Sequence, residues 1–402
     1  MSYGHIINDF IITIFDKDIN ISYNNESNKN YILNESLRNY LLSIKQEIDN
    51  VYEKWDKYKR ITNKYEYINT IVNFKQENVK NNDIPININS SICSYKPISR
   101  SYFKLIEILN IFDFNFKKNI KSFHLAEGPG GFIEALSLYR KNKNDKYYGI
   151  TLMDKHNDVP KWNKIQDFLK KNKNIILEYG PKNDGNLYLK HNLDFFKNNY
   201  YNSYDFVTAD GGFDYSVDFN KQEENSINLI FCEVLYALIV QCENGSFVLK
   251  VFDCFNEVTI QILFLLSYFY KEVIVYKPNT SREANSEKYV ICKYFINHNN
   301  RKEIINKLTN NFDKMKTDKL TNIFNHKLHS IFLNKIEEIN AIYGQQQIEN
   351  ILLTLNYIKE NLYNTNKEKV DKIKLTNIKK SITWCNNNKQ PIYTFLQHFN
   401  DA

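Results

Sequence analysis

Between Arg100 and Phe295 short apolar runs alternate with stretches of helical periodicity, and this alternation restricts the fold more than any other feature of the sequence. The strand candidates are Ser122–Ala126, Tyr147–Leu152, Ile175–Tyr179, Asp205–Ala209, Ser246–Phe252, Val273–Tyr276 and Lys288–Phe295. Helical stretches precede or separate most of them: Ser101–Asn110, Phe132–Arg140, Lys161–Lys171, Glu223–Cys242 and Thr259–Tyr270. Apolar strands that alternate with helices predict a mostly parallel sheet covered on both faces. Only the loop NTSREANSE separates the last two strands, so they are expected to form an antiparallel hairpin at the sheet edge.

The fold class expected is therefore α/β: a Rossmann-like, doubly wound, mostly parallel seven-stranded sheet with an antiparallel edge strand, plus helical N- and C-terminal additions. Residues 1–34 are mixed, with a strand candidate at Ile6–Phe15. The run SLRNYLLSIKQEIDNVYEKWDKYKRI predicts one amphipathic helix over 36–61, continuing past Asn63 towards Phe74. Lys75–Ser91 is polar, carries Pro85, and is expected to be a loop. After residue 300 helices are expected near Lys302–Asn310, Ser330–Ile342 and Gln346–Glu360, followed by the basic stretch KEKVDKIKLTNIKK. The division expected is a mostly helical extension over 1–95, the α/β domain over 96–300 and a basic helical region over 301–402.

Composition excludes several classes. Aromatics reach 15%, which argues against intrinsic disorder, and only 11 Gly and 7 Pro argue against collagen-like or linker chains. The longest apolar stretches are Leu229–Val240, interrupted by Glu233, and Thr259–Tyr270. Both are shorter than the ~20 residues a bilayer span needs, so they read as buried helices. The N-terminus lacks a basic segment and a small-residue cleavage site, so the chain is expected to be soluble, intracellular and free of membranes. Cytoplasm, with a viral factory or virion if the source is viral, and nucleus are both compatible. The six cysteines are far apart without a C-x-x-C pair and read as reduced thiols; the closest histidines, His326 and His329, read as a surface pair, and no metal is expected. Of the net charge of +7, residues 301–402 carry +6, from 16 Lys and Arg against 10 Asp and Glu. This asymmetry suits either a polyanionic partner or a solvated helix face.

FHLAEGPGGFIEAL reads strand, turn, helix, where an open α/β sheet binds its ligand. Gly128, Gly130 and Gly131 let backbone approach a ligand, Pro129 stiffens the turn, and the helix start near Phe132 offers free N–H groups. Glu127 at the strand tip would repel a pyrophosphate and hold an ammonium group, favouring S-adenosylmethionine over a dinucleotide. A purely structural turn is the competing reading.

Three more segments end at the same sheet edge. DFVTADGGFD supplies Asp210, SFVLKVFD supplies Lys250 and NSEKYVIC supplies Glu287, while SRSYFKLIEI puts Lys104 on the preceding helix. Singly, each has an ordinary explanation: a lysine snorkelling to the edge, an aspartate building a turn. Together they suit methyl transfer from a sulfonium to a ribose hydroxyl, in which the protein positions the hydroxyl and takes its proton. Lys250 is the expected base, its pKa lowered by burial and by Lys104 as a neighbouring cation, with Asp210 and Glu287 orienting the lysines.

The order Lys104, Asp210, Lys250, Glu287 resembles the K-D-K-E tetrad of the FtsJ-like, or RrmJ-like, RNA ribose 2′-O-methyltransferases. Within that family TADGGFDYSVDFNKQE and TSREANSEKYVICK are most similar to the Adrift-type mRNA cap branch. WDKYKRITNKYEYI, residues 55–68, and the tail KSITWCNNNKQPI are similar to elements of its large DNA virus members. The resemblance implies 2′-O-methylation of capped RNA using S-adenosylmethionine, with Lys250 as general base. It also implies that Gly128 to Phe132 line the methionine end of the cofactor and that Asp184, in GPKNDGNLY, meets the adenosine portion. The second strand ends ITLMD, leaving ribose recognition to Thr151 or Asp154.

For RNA phosphates the candidates are Arg100, Arg282, Lys293 and the basic tail, against ordinary solvated charge. The expected partner is RNA, in first place 5′-capped mRNA, with capping or transcription machinery alongside it. A ribosomal or transfer RNA 2′-O-methyltransferase and a non-catalytic RNA-binding subunit on the same fold stay open as alternatives.

Overall fold

A computed structural model of the chain describes residues 4–24, 31–75, 87–153, 161–212 and 219–399. It begins with β1 (His5–Ile6), β2 (Ile19–Asn24), α1 (Glu35–Gln46), α2 (Tyr52–Thr62), β3 (Val72–Lys75) and β4 (Asn87–Ser90). The central block runs α3 (Ser101–Ile111), β5 (Lys121–Leu125), α4 (Gly131–Arg140), β6 (Lys146–Ile150), α5 (Gln166–Lys171), β7 (Ile175–Glu178), α6 (Lys190–Asn199) and β8 (Tyr204–Ala209). It continues with α7 (Gln222–Val240), β9 (Gln241–Val251), α8 (Glu257–Phe269), β10 (Tyr270–Tyr276) and β11 (Lys288–Phe295). The chain closes with α9 (Arg301–Leu308), β12 (Lys319–Phe324), α10 (Ser330–Lys359), α11 (Leu362–Thr365) and α12 (Lys367–Asn387).

The main sheet has eight strands in the order β1-β10-β11-β9-β8-β5-β6-β7. Strands β7, β6, β5, β8 and β9 are parallel. Side chains alternate between faces along each strand. Val207, Ala209, Phe247, Leu249 and Val251 join the core beneath α6, α7 and α8. Phe206, Val248, Tyr289 and Ile291 join the core beneath α3 and α4. Burial on both faces is why these strands read as unbroken apolar runs.

The α/β, doubly wound class holds, with one change of detail. Strand β11 is antiparallel to both β9 and β10 and lies between them, so the strand expected at the edge is inside the sheet, and a different antiparallel strand, β1, takes the edge. The edge belongs to the two-residue β1, paired with β10, which is all that forms of the strand expected at Ile6–Phe15. Such long-range pairing leaves no local trace in the sequence.

The helix expected over 36–61 is two helices, α1 and α2, separated by a 3-10 turn at Asp49–Val51. It stops at Asn63, whose backbone is extended, and the chain towards Phe74 forms a 3-10 turn and then β3. β3 pairs with β4, so the ends of the expected loop are a hairpin; residues 76–86 lie outside the described residues. Conversely, the two helices expected at 330–342 and 346–360 are the single α10. Gly344 does not break it, because its bare Cα fits against Leu37; an added Cβ would lie 3.3 Å from Leu37 Cδ2.

The terminal regions meet each other. Trp55, Tyr58 and Ile61 of α2 pack with Ile351 and Ile358 of α10, Leu362 of α11 and Val370 of α12. β2 pairs with β12 across almost 300 residues of sequence. Among the described residues no helix is long and apolar enough to cross a membrane.

Candidate active site

Strand order reverses at β5, between β6 and β8, and such a switch point opens a crevice at the carboxyl ends of the strands. The ends of β5, β8 and β9 carry Glu127, Asp210 and Lys250, and antiparallel β11 brings its opposite end, preceded by Glu287, to the same place. In register, Tyr289 lies opposite Lys250, and Lys250 shares the parity of Val248. It therefore faces the layer of α3, which presents Lys104.

The four expected residues come together as two ion pairs. Lys104 Nζ lies 2.7 Å from Glu287 Oε1, and Lys250 Nζ lies 3.4 Å from Asp210 Oδ1 while donating to the Asp210 carbonyl at 2.8 Å. The lysine ammonium groups are thus held by different carboxylates, so Lys104 is not a bare cation facing Lys250. Three residues that sequence reasoning missed complete the set. Tyr289 donates its hydroxyl to Asp210 Oδ1 at 2.8 Å, Ser281 donates to Glu287 Oε1 at 2.9 Å, and Glu233 Oε1 accepts from Gly211 N at 3.2 Å. Glu233 was visible as the one acid interrupting Leu229–Val240; the other two carried no signal beyond adjacency to Lys288 and Arg282. Gly212 keeps space open beside Lys250: a Cβ there would lie 3.1 Å from Lys250 Nζ.

Ionisation departs from expectation. Burial works to lower the Lys250 pKa, but the carboxylates of Asp210, Glu287 and Glu233 outweigh it and hold the amine above its ordinary value. The lowered pKa expected for this lysine is not found. Burial likewise opposes charge on Glu287, yet Lys104 and Lys250 pull its pKa down to about 2. Glu233 is pushed up to about 8 by burial, so near pH 7 it is mostly neutral and adds little to the hold on Lys250. One lysine does have a lowered value. Lys277, at the end of β10, is buried near Lys288 and falls to about 7, donating to the Glu287 carbonyl at 2.9 Å.

The glycine turn is held by contacts within the protein. Glu127 Oε1 caps α4, accepting from Phe132 N at 2.6 Å and Ile133 N at 3.0 Å. Gly130, at φ 112°, and Gly131 are needed for packing: added Cβ atoms would meet Ile165 Cδ1 at 2.3 Å and Ser99 Oγ at 2.1 Å. Gly128–Pro129 forms the turn with a cis peptide. Glu127 Oε2, however, is buried without a hydrogen-bond partner among the described residues, and burial raises the pKa of this carboxyl well above the usual range. A buried orphan acceptor is costly, and a cationic donor such as a methionine ammonium fits it. Farther along the edge, the loop carrying Asp184 rests on the end of β6: Met153 N donates to Asp184 O at 2.8 Å, and a Cβ on Gly185 would lie 1.9 Å from Thr151 O. The Asp184 carboxylate accepts from Asn186 N, Asn192 and His191, so it braces its own loop. Asp154 lies outside the described residues.

Of the RNA candidates, Arg100 and Arg282 are brought together on Glu66 beside the tetrad. Lys293 is not: it lies towards the opposite end of β11, 3.1 Å from Glu272. Because β11 runs away from the site, six residues of strand put about 20 Å between Glu287 and Lys293.

Residues 97–295 match the FtsJ-like methyltransferase family. Cap-specific mRNA (nucleoside-2′-O-)-methyltransferase 1 of Drosophila melanogaster is 38% identical over 176 residues, covering 42% of this chain and 21% of that protein. The Homo sapiens protein of the same name is 35% identical over 178 residues, with the same coverage of 42% and 21%. Cap-specific mRNA (nucleoside-2′-O-)-methyltransferase 2 of Pongo abelii is 32% identical over 240 residues, covering 58% of this chain and 31% of that protein. The similarity thus spans only 21% to 31% of the length of these relatives. Residues 97–295 belong to the FtsJ-like methyltransferases, an S-adenosylmethionine-dependent family, and are related to the cap-specific mRNA 2′-O-methyltransferases.

Proposed function

We propose that this chain methylates a ribose 2′-hydroxyl at the 5′ end of capped mRNA, with Lys250 as general base. The observation that carries this reading is the convergence of Lys104, Asp210, Lys250 and Glu287 beside the glycine turn, at the carboxyl edge of the sheet. Likeness to relatives named for cap-specific methylation favours capped mRNA over ribosomal or transfer RNA. We also read residues 55–68 and 380–392 as elements of the cap-type branch found in large DNA viruses.

S-adenosylmethionine supplies the methyl group when bound. Glu127 Oε2 would receive its ammonium group, the turn Gly128–Phe132 would line its methionine end, and the edge formed by Thr151 and the Asp184 loop would take the nucleoside. Glu287 neutralises Lys104, which leaves Asp210 as the main group holding the Lys250 ammonium near pH 7. A second positive charge placed beside Lys250 opposes that ammonium and favours the free amine. The amine then accepts the hydroxyl proton, while Tyr289 and the Asp210 carbonyl keep Asp210 and Lys250 in line.

The test is transfer of labelled methyl groups to capped and uncapped short RNAs, followed by digestion to locate the modified ribose, with Lys250→Ala in parallel. Label on the first or second nucleotide of capped RNA, lost in Lys250→Ala, is the expected result. Label on internal riboses of uncapped structured RNA would move the substrate to ribosomal or transfer RNA. Absence of label with cofactor still bound would overturn the enzymatic reading of the isolated chain.

A further inference from the structure

Arg100 and Arg282 come from different parts of the chain and share one buried carboxylate. Arg282 grips Glu66 with two donors, Nε to Oε2 at 3.2 Å and Nη2 to Oε1 at 3.0 Å, and Arg100 Nη1 reaches Oε1 at 3.2 Å. The Glu66 side chain is 2% exposed, whereas those of Arg100 and Arg282 are 36% and 37% exposed. Asn63 and Thr70 complete the carboxylate's bonds at 3.3 and 3.0 Å. Burial works against charge on Glu66, but the two guanidinium groups hold its pKa at about 2.

Two cations on one anion leave a net positive charge. The other guanidinium N–H groups have no partner among the described residues, and the groove beside them is lined by Asn63, Tyr65, Asn279 and Thr280. The cluster also adjoins the tetrad in sequence and in space, because Ser281, which bonds Glu287, immediately precedes Arg282. The nearby Lys64 is neutralised by Glu283 at 2.7 Å.

We propose that Arg100 and Arg282 form a phosphate clamp for the RNA backbone next to the target ribose, with Glu66 as the buried counter-ion that fixes the angle between them. The proposal rests on the methyl-transfer reading for its substrate. Planar guanidinium groups offer paired N–H donors to phosphate oxygens, and pre-orientation by Glu66 lowers the ordering cost of binding. Lys293 takes no part.

The test uses the full chain without cofactor and a fluorescent short capped RNA, its affinity measured by anisotropy across a series of KCl concentrations. A single-strand phosphate contact contributes about 0.7 to the slope of log affinity against log salt, so Arg100→Ala/Arg282→Ala should reduce that slope by about 1.4. Arg100→Lys/Arg282→Lys should restore most of the slope. Because the alanine variant leaves Glu66 charged and alone, the triple variant Glu66→Gln/Arg100→Gln/Arg282→Gln, which buries no charge, serves as a second probe and should lose the same slope. In turnover, KM for RNA should rise about 10-fold with kcat changed by less than about 3-fold. An unchanged slope in the folded triple variant would overturn the clamp even if methyl transfer is normal. A lost slope without methyl transfer to any ribose would support the clamp and reject the methyl-transfer reading instead.

Discussion

Lys250 sits among the carboxyl groups of Asp210, Glu287 and Glu233, and its protonation should govern the rate. Its amine sits above the ordinary lysine value, so kcat/KM should rise with pH through the neutral range as the free amine becomes more abundant. Asp210→Asn removes the nearest carboxylate, and the rising limb of that profile should move down by about 1–3 pH units, at a reduced maximum rate. A limb that stays in place would mean that another group titrates. Glu233 gives a stability counterpart. Its pKa rises from 4.5 to about 8, so between those values the unfolded chain releases a proton that the folded chain keeps. Stability should therefore fall as pH rises from about 4.5 to about 8, by about 1.4 kcal/mol per unit, and level off above that range. Glu233→Gln should remove this contribution, read as a gain in urea midpoint over wild type that grows from pH 5 to pH 8. That Lys104, Asp210, Lys250 and Glu287 come together was legible in sequence because each ends or flanks an apolar strand or helix. Their pairing was not, since which lysine meets which carboxylate depends on a strand inserted antiparallel between β9 and β10.

At the level of elements, local periodicity carried most of the central block and failed where partners are distant. α6, with the polar sequence KHNLDFFKNN, and β12, which exists by pairing with β2, had no sufficient local signal. Two-residue β1 likewise depends on β10. The turn before α4 shows a further layer, in which residues expected at a ligand also hold the local structure together. Gly130 and Gly131 make room for Ile165 and for Ser99 and Ser101, and Glu127 spends one oxygen on the helix start and leaves the other for a ligand. Gly130→Ala should destabilise the protein by about 1–3 kcal/mol through overpacking and positive φ, measured by denaturant unfolding. An unchanged midpoint would show that Ile165 can move aside.

Across the whole molecule, the segment after residue 300 is tied to the α/β core by a buried cation. Arg301 is 1% exposed and donates to the carbonyls of Leu238, Ile239 and Gln241 at 2.9, 3.0 and 2.9 Å. It also lies 4.6 Å from the ring centres of both Tyr201 and Phe295. Arg301→Ala removes a donor from each of these carbonyls, of which Ile239 O keeps Asn202 N at 3.1 Å, and leaves a cavity; it should cost about 3–5 kcal/mol, detected as a lowered unfolding midpoint. The sequence registered this region as an excess of positive charge, a property of its exposed face, and gave no sign of the inward arginine. Fold, crevice and charge pairs meet in one claim: the two ion pairs act in methyl transfer and not in building the cofactor site. The most direct measurement compares Lys104→Ala, Asp210→Ala, Lys250→Ala and Glu287→Ala with the unaltered chain, for S-adenosylmethionine affinity by calorimetry and for turnover on capped RNA. Turnover should fall by about 10²-fold or more in each, most in Lys250→Ala, with cofactor affinity changed by less than about 3-fold. Turnover retained within a few-fold in Lys250→Ala, in a folded protein that still binds cofactor, would contradict it.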